Sequence, residues 1–412
     1  MHHPTIRELR KHAGLSVAAI TRLLPALLAG LCFGVSARAD DRHGGGLAVE
    51  AKGEFSAYAD TDAVSVVTPA VAATMKDVLG GWSLGGSYLV DVVSAASVDI
   101  VSTASMHWTE VRHAGSLSGS LDVGNTSTSV SGSVSSEPDY LSLSVGGTER
   151  VAFAGKTVTP FFGYGFTRDL AGRTGTPFSV YSLELKRHTL TGGLELILDP
   201  TTMITFVGDA SLESGRQEKP YRFLPVFAPN VADDVSAGSS VDTVNALRLP
   251  GRISERTPDT RNRFSVSGRL AQRISGWSTF VISERLYKDD WGLQASTTDL
   301  RMLMDASQRW FVWTNIRVHV QSGVSFWKRA YVAQMTAEGL EIPALRTGDR
   351  ELGPLASGTF GGGIRWLIGR DARPDAWSLV FQTDVGTTSF DDALFIQNRQ
   401  AFFSSLQLEG KF

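Results

Sequence analysis

The twelve residues WFVWTNIRVHVQ, from Trp310 to Gln321, alternate between apolar and polar side chains. The apolar side chains on one set of alternate positions are Trp310, Val312, Ile316, Val318 and Val320, and the polar ones on the other set are Asn315, Arg317, His319 and Gln321. Because successive side chains of a β-strand point to opposite faces, this period predicts a strand with one apolar and one polar face. Strands of soluble sheets usually have about 5 to 6 residues, whereas a tilted strand needs about 9 to 11 to cross a bilayer.

The same alternation recurs along most of the chain. Between 47 and 57 the odd positions are apolar or small, and the even positions include Glu50 and Glu54. Segments 263–270 and 405–412 separate apolar from polar residues in the same way. Sixteen segments are predicted as strands: 47–58, 63–75, 82–93, 107–123, 125–136, 140–149, 156–168, 181–198, 202–214, 262–274, 278–289, 293–305, 309–321, 357–369, 377–389 and 400–412.

The breaks between these segments are alternately short and long. The short breaks, rich in turn residues, are 76–81, 124–125, 199–201, 275–277, 305–308 and 369–376. The long breaks are 94–106, 169–180, 215–260 and 323–356. This alternation is typical of outer-membrane barrels, whose periplasmic turns are short and external loops long. The predicted fold is therefore all-β, a single-chain transmembrane antiparallel β-barrel of about sixteen strands, with fourteen and eighteen as alternatives.

Composition excludes several other protein classes. The chain has 412 residues, a formal net charge of -3 and 42% hydrophobic residues, which argues against disorder. A single Cys argues against a disulfide scaffold or a cysteine-rich metal site. Nothing in the charge balance suggests a nucleic-acid-binding face, so no nucleic-acid partner is predicted.

The first 39 residues have the features of a cleaved signal peptide. Arg7, Arg10 and Lys11 lie in a basic region, Leu23–Val35 is an apolar run, and the AxA motif at 37–39 is a cleavage site. The predicted organisation is a signal peptide at 1–39 and an outer-membrane β-barrel at 40–412.

Aromatic residues and the end of the sequence agree with a membrane barrel. Outer-membrane barrels carry aromatic girdles at both membrane interfaces. The aromatics predicted at the periplasmic side are Trp82, Trp277, Trp310, Trp366 and Trp377, and those predicted at the opposite rim are Tyr58, Phe166, Tyr287, Trp291 and Phe390. The final strand, which ends at Phe412, resembles the signal by which the barrel-assembly machinery recognises its substrates.

Five stretches carry a family resemblance: VSVVTP at 64–69, VDVVSAAS at 90–97, KPYR at 219–222, ERTPDTRNR at 255–263 and RLYKDDWG at 285–292. In these stretches the chain resembles an uncharacterised family of bacterial outer-membrane β-barrel proteins that carries only a domain-of-unknown-function label. The resemblance spans nearly the whole predicted mature chain. It implies a barrel in the outer membrane of a Gram-negative bacterium, and it supplies neither an activity nor catalytic residues.

The predicted lumen is rich in arginine. By the alternation, the pore-lining candidates are Arg112, Arg263, Arg269, Arg285, Arg301, Arg317, His319 and Arg365. The inward acids are predicted to be Asp91, Glu110, Asp122, Asp299 and Asp384. One interpretation is a pore whose arginines attract anions. The other is a wall of arginine–carboxylate pairs that stiffens the barrel.

The two longest breaks allow two interpretations as well. Segment 215–260 has an apolar cluster around Phe223 and Phe227, so it could fold into the lumen as a constriction or lie outside as a lid. Segment 323–356 could pack against it.

No catalytic constellation or cofactor motif is recognisable in the sequence, so we predict neither an enzyme nor a cofactor. His319, on the luminal face, is the one candidate general base considered, and a solvated pore histidine is the commoner case. The adjacent carboxylates at 233–234 and 289–290 fall short of a Ca²⁺ ligand set, so no metal site is predicted.

Two functional hypotheses follow. The first is a passive, porin-like channel for small solutes that leans towards anions. The alternative is a closed barrel that acts as a structural scaffold or partner platform for a periplasmic or surface assembly. The predicted partners are outer-membrane lipid, the barrel-assembly machinery through the last strand, and small solutes.

Overall fold

The computed structural model describes residues 46–95, 108–337, 339–369 and 377–412. Its strands, in chain order, are β1 (Leu47–Asp60), β2 (Val64–Asp77), β3 (Trp82–Ala95), β4 (Trp108–Val123), β5 (Thr126–Glu137), β6 (Tyr140–Val151), β7 (Val158–Ala171), β8 (Leu183–Asp199), β9 (Thr202–Gly215), β10 (Phe223–Phe227), β11 (Arg248–Ser254), β12 (Thr260–Ser275), β13 (Ser278–Asp289), β14 (Gln294–Asp305), β15 (Trp310–Gln321), β16 (Tyr331–Val332), β17 (Gln334–Thr336), β18 (Gly339–Glu341), β19 (Leu355–Ile368), β20 (Trp377–Phe390) and β21 (Asn398–Lys411).

Sixteen of these strands form one closed antiparallel barrel. The strands β10, β11, β16, β17 and β18 lie outside the barrel sheet, and the barrel closes where β21 pairs with β1. The predicted strand number is therefore confirmed, and the predicted boundaries differ from the observed ones by three residues or fewer. The predicted signal peptide at 1–39 lies outside the described residues. No helix in the described part of the chain is long and apolar enough to cross a membrane.

The register gives the barrel an apolar outer face and a polar inner face. Val266 of β12 pairs with Leu286 of β13, and both side chains are exposed, by 60% and 53%. Their chain neighbours Ser265 and Arg285 lie on the opposite face. Because cross-strand partners share a face of a sheet, the same separation can be followed around the barrel. Glu284 of β13 is an exception on the apolar face, where it accepts hydrogen bonds from Ser296 and Thr298. The apolar face therefore points outward, and the polar face surrounds the lumen.

The two ends of the barrel differ in their connections. At the end that we call the turn end, strands are joined by short turns. The Asp199 carboxylate accepts a hydrogen bond of 2.7 Å from the Thr201 backbone N–H and so stabilises the turn between β8 and β9. Trp310 and Trp366 are register partners near this end, and their rings stack with centroids 5.5 Å apart. The long connections among the described residues lie at the other end, which we call the loop end.

Five aromatic residues were predicted to form a membrane-facing girdle at the loop end, and this prediction is wrong for four of them because their side chains do not face outward. Trp291 and Phe390 are buried, with 5% and 1% of their surface exposed. The hydroxyls of Tyr58 and Tyr287 donate to Asp60 and Asp289 on the inner face. Phe166 does face outward, against His188. Sequence position indicated the height of these residues in the barrel but not that loop-end segments would cover two of them.

Three loop-end connections fold together into a compact unit that we call the cap. The cap comprises residues 216–259, 322–354 and 391–397, apart from 338, which is not described. Within it, β10 pairs antiparallel with β11 and parallel with β16. A short helix, α1 (Val241–Leu247), begins where the Ser240 hydroxyl accepts a hydrogen bond from the Thr243 N–H.

The cap has its own hydrophobic core on both sides of β10. Leu224 and Val226 pack with Tyr331 and Ala333 in one cluster. Phe227 packs with Ala232, Val235 and Val244 in a second cluster, which Leu394 and Phe395 partly cover. Val226 and Phe227 are fully buried. The apolar cluster predicted around 223–227 is thus the centre of the cap.

Candidate functional site: the barrel lumen

The eight predicted pore-lining residues all lie on the inner face by register. Arg317 and His319 alternate with Ile316, Val318 and Val320, which are exposed on the outer face. Following this alternation from strand to strand through the register partners places six further residues on the inner face: Arg112, Arg263, Arg269, Arg285, Arg301 and Arg365. The structure then divides these arginines into two groups according to their contacts.

One group consists of arginines paired with carboxylates in the barrel wall. Arg112 binds Asp91 of the neighbouring strand through a 2.6 Å hydrogen bond from its Nε. Arg263 lies 3.0 Å from Glu213, which also accepts a 2.7 Å hydrogen bond from Arg187. Arg365 binds Glu409 in the same way. These arginines fit the interpretation of a wall of arginine–carboxylate pairs, because their charges are neutralised within the wall.

The second group, which we call the arginine patch, consists of Arg269, Arg285, Arg301 and Arg317 on β12–β15. All four side chains are exposed in the lumen. Among the described residues, Asp299 on β14 forms the one ion pair with them, 3.7 Å from Arg317. Two further carboxylates lie nearby: Asp209 accepts a hydrogen bond from Ser265, and Asp384 accepts one from Asn315. No carboxylate of the described residues pairs with the other three, although Arg285 donates to the Ser265 hydroxyl at 3.1 Å.

The register brings the four arginines of the patch close together. Arg285 pairs with Ser267 and so lies diagonally from Arg269, and Arg301 pairs with Asn315 and so lies diagonally from Arg317. Diagonal positions in a sheet are about 7–8 Å apart. The four cations thus form two diagonal pairs, Arg269 with Arg285 and Arg301 with Arg317. The three nearby carboxylates offset part of their charge, and the area keeps a net positive charge.

His319 is fixed by its neighbours. Its Nδ1 lies 2.7 Å from the Thr297 hydroxyl, and its Nε2 lies 3.2 Å from the Gln321 side-chain oxygen. Thr297 is buried, with 7% of its surface exposed. Both ring nitrogens are therefore occupied by wall residues, so the imidazole is held as part of the wall next to the arginine patch.

The opposite side of the lumen is lined by serine. β4 and β5 stand eight strands from β14 and β15 in a barrel of sixteen, which places the two regions across the lumen from each other. We call the serine-lined region of β3–β6 the serine wall; its inward serines are Ser83, Ser87, Ser116, Ser118, Ser120, Ser127, Ser129, Ser131, Ser133, Ser135, Ser142 and Ser144. Some hydroxyls bind one another across strands, as Ser83 and Ser120 do at 2.7 Å.

The sequence analysis missed the serine wall, although its signal is present in the sequence. Serines recur at every second position from 127 to 135. A search confined to charged and catalytic side chains passes over them. The inward charges on these strands are the mutually neutralised Arg112–Asp91 pair and groups nearer the strand ends, such as Asp122 and Arg150 at the turn end. The lumen therefore has a positive side and a neutral, hydroxyl-rich side.

The cap contacts opposite parts of the loop-end rim. Arg350 of the cap forms a 2.5 Å ion pair with Asp62, which follows β1. On another side, the Tyr221 hydroxyl accepts a 2.6 Å hydrogen bond from the Thr174 N–H, in the connection after β7. These contacts hold the cap at the loop end, which agrees with the lid interpretation of segment 215–260.

Charged groups also hold the cap together internally. Arg222 lies 2.6 Å from Asp349 and 3.4 Å from Glu255. Burial acts to lower the pKa of Arg222, but these two carboxylates outweigh it and raise the pKa above its ordinary value. The Arg222 charge is therefore retained, and it ties together two of the connections that form the cap.

Three carboxyl groups meet at the loop end of β4 and β5. Oxygens of Glu110, Glu137 and Asp139 lie within 4.8 Å of one another. Three ligands are fewer than the 6–8 oxygens that Ca²⁺ takes, so this trio alone does not define a metal site. The carboxylate pair at 289–290 is engaged in protein contacts, since Asp289 binds Arg261 and Asp290 binds Asn262.

Known proteins give the chain a family and several distant structural likenesses. A family model described as "Protein of unknown function (DUF3570)" matches residues 55–369. No curated protein matches the chain in sequence.

Three of the similar solved structures illustrate these distant likenesses. The siderophore receptor PirA from Acinetobacter baumannii has a TM-score of 0.42 and 8% identity, and the match covers 84% of this chain and 53% of the receptor. This chain therefore spans about half the length of that receptor. A bacterial polysaccharide outer membrane secretin has a TM-score of 0.45 and 8% identity, with 89% and 98% covered. OccK11 (OpdR) from Pseudomonas aeruginosa has a TM-score of 0.40 and 9% identity, with 89% and 96% covered.

Proposed function

This chain belongs to the family described as "Protein of unknown function (DUF3570)", and from that premise and its closed barrel we propose that it is a passive channel of the bacterial outer membrane that favours small anions. The outer face supports the membrane location. Large apolar side chains such as Phe206, Val266 and Phe360 are about half exposed there, as expected for a surface that contacts lipid rather than water.

The arginine patch is the observation that carries the anion preference. Its side chains are exposed to the lumen, and among the described residues only Arg317 forms an ion pair, with Asp299. Sixteen-stranded barrels leave an aqueous channel unless loops fill it. Rings or rows of arginine in such a channel raise the local concentration of anions and hinder cations. The serine wall across the lumen adds no positive or negative field of its own.

The proposal is tested by ion selectivity in a planar bilayer. We expect the refolded protein to give steady conductance steps and a reversal potential of anionic sign in a salt gradient. A variant with Arg269→Gln, Arg285→Gln, Arg301→Gln and Arg317→Gln should move that potential most of the way to the value for a non-selective pore. It removes four luminal cations, of which only Arg317 forms an ion pair among the described residues.

A matched control neutralises a paired arginine together with its partner. The double variant Arg112→Gln/Asp91→Asn changes no net charge and should leave the reversal potential where it is. Cation selectivity of the unmodified protein would contradict the proposal. An equal shift of the reversal potential in the quadruple and the double variant would also contradict it.

The cap favours the second candidate function, a closed barrel that serves as a scaffold or partner platform. It is an ordered unit with its own core and rests on opposite parts of the loop-end rim. A correctly folded barrel, identified by its heat-dependent gel mobility, that stays silent in the bilayer and conducts once the cap is removed by proteolysis would support this function over the channel.

A further inference from the structure

Trp313 lies flat against the inner wall beside the arginine patch. It is the register partner of Gly363 on β19, and both are inner-face positions. A Cβ atom on Gly363 would overlap Cζ2 and Cε2 of the indole. Only glycine therefore lets the ring lie across the neighbouring strand instead of projecting into the lumen. The side chain remains partly exposed, so part of the ring surface is accessible from the lumen.

A second inner-face aromatic shows what a covered ring looks like. Phe161 lies against Gly193 in the same manner. The Arg150 guanidinium, however, stands 4.9 Å from the centroid of that ring and is itself paired with Glu195 at 2.9 Å. Among the described residues, no ring or guanidinium stacks on Trp313. The protein thus places a guanidinium over one such ring and, among the described residues, none over the other.

The surroundings of Trp313 combine cations with hydrogen-bonding groups. Arg301 is the register partner of Asn315, so it stands diagonally from Trp313, about 7–8 Å away. On the other side, the Asp384 carboxylate accepts hydrogen bonds from Asn315 at 2.8 Å and Gln382 at 2.7 Å. The partly exposed indole therefore has Leu303 as its register partner and the Arg301 guanidinium diagonal to it on β14. On its other side lies the Asp384 carboxylate, whose hydrogen-bonding capacity suits sugar hydroxyls.

We propose that Trp313, Arg301 and Arg317 form a binding subsite for anionic sugars, meaning a pyranose ring that carries a carboxylate or a phosphate. The C–H face of such a ring fits an indole surface, and its anionic group fits the planar fork of arginine, which binds carboxylates and phosphates with two hydrogen bonds. The subsite names the solute class of the channel and so rests on the proposed function. Neither a neutral sugar nor a simple anion satisfies both halves of it.

The test compares three probes as blockers of chloride current through the refolded protein: glucuronate, glucose and acetate. Glucuronate has both the ring and the charge, glucose has only the ring, and acetate has only the charge. We expect glucuronate to block at a lower concentration than either. Trp313→Leu should reduce the preference for glucuronate over acetate by about fivefold, since an aromatic contact of this kind contributes roughly that factor. Arg301→Gln should reduce the preference for glucuronate over glucose.

Two further variants separate stacking from general damage to the wall. Gly363→Ala keeps the indole but crowds both the ring and the Phe381 backbone oxygen. It should act in the same direction as Trp313→Leu, and its heat-dependent gel mobility shows whether the barrel wall has stayed intact. Phe161→Leu removes the covered ring and should leave all three blocking concentrations unchanged.

The possible outcomes distinguish this inference from the proposed function. An anion-selective channel that glucuronate blocks no better than acetate, or in which Trp313→Leu has no effect, overturns the subsite and leaves the channel proposal intact. If the folded barrel is silent, the channel proposal fails, and calorimetric titration of glucuronate into the detergent-refolded protein tests the subsite directly. Binding that Trp313→Leu weakens supports the subsite, and no measurable binding rejects it.

Discussion

The barrel and the cap bury opposite kinds of surface. On the barrel strands, apolar side chains such as Phe206 and Val266 are exposed by 52% and 60%, while polar residues such as Ser265 are buried. In the cap, Val226 and Phe227 are fully buried. The barrel therefore depends on an apolar surrounding to cover its outer face, whereas the cap depends on the hydrophobic effect in water.

This difference implies that the barrel and the cap can unfold independently of each other. The barrel closes its own hydrogen-bond ladder from β1 to β21 without using any cap strand. The cap, in turn, is held by its two hydrophobic clusters and by polar contacts between loops. A change in one core should therefore leave the other region folded, and the predictions below test that separation.

The largest expected effect follows from emptying the cap core. Phe227→Ala should destabilise the cap by about 3–5 kcal/mol, the usual cost of truncating a buried phenylalanine. Limited proteolysis should then cut within 216–259, while the heat-dependent gel mobility of the barrel persists. The control Phe206→Ala, on the lipid-facing side, should leave the cap resistant. Loss of the folded barrel in Phe227→Ala would show that the regions are coupled.

The contrast also explains how far the sequence predicts the fold. The barrel was predictable because a period of two repeats over sixteen long segments, so an error in one segment is corrected by the others. The cap strands offer no such pattern. β10 is a continuous apolar run that contains Pro225, and β16 has two residues. They pair although the four barrel strands β12–β15 lie between them in the chain. No local signal in the sequence specifies that pairing.

For the lumen, the sequence predicts the face of a side chain but not its partner. Parity alone places Arg263 and Arg269 on the same face. That Arg263 meets Glu213 while Arg269 meets no carboxylate of the described residues depends on the register of β9 against β12 across a long connection. The position of Trp313 on Gly363 depends in the same way on the register of β15 against β19.

A smaller effect should follow from removing a buried charge in the cap. Glu255 is 2% exposed at its side chain and accepts hydrogen bonds from the Lys219 N–H at 2.9 Å and the Thr347 hydroxyl at 2.5 Å, besides its pairing with Arg222. Glu255→Gln should destabilise the cap by about 2 kcal/mol, since hydrogen bonds to charged groups contribute about that much. Urea unfolding followed by tryptophan fluorescence, which includes Trp327 of the cap, measures the change.

The matched barrel variant is Glu213→Gln, which removes an equally buried carboxylate from Arg187 and Arg263. It should lower the temperature at which the barrel loses its folded gel mobility and leave the urea midpoint of the cap unchanged. If each variant affected both readouts equally, the separation of the two regions would be refuted.

The smallest effect concerns the pH dependence of the cap. Burial acts to raise the pKa of Glu218, but the hydrogen bond from Arg216 and the nearby Arg256 outweigh it, and the net pKa lies below the ordinary 4.5. A lowered pKa means that the ionised carboxylate stabilises the folded cap above the ordinary pKa and that this contribution disappears as the pH falls through the folded value.

We therefore expect wild type and Glu218→Gln to differ by about 1 kcal/mol or less in cap stability at neutral pH, because the Arg216 side chain is 43% exposed and water screens the pair. The difference between the two urea midpoints should shrink towards zero as the pH is lowered from about 7 to about 3. Comparing the two proteins at each pH cancels the titration of all other groups. A difference in urea midpoint that stayed constant with pH would mean that Glu218 contributes through its shape rather than its charge. If instead the two proteins differed only in the temperature at which the barrel loses its folded gel mobility, the effect of Glu218 would lie outside the cap.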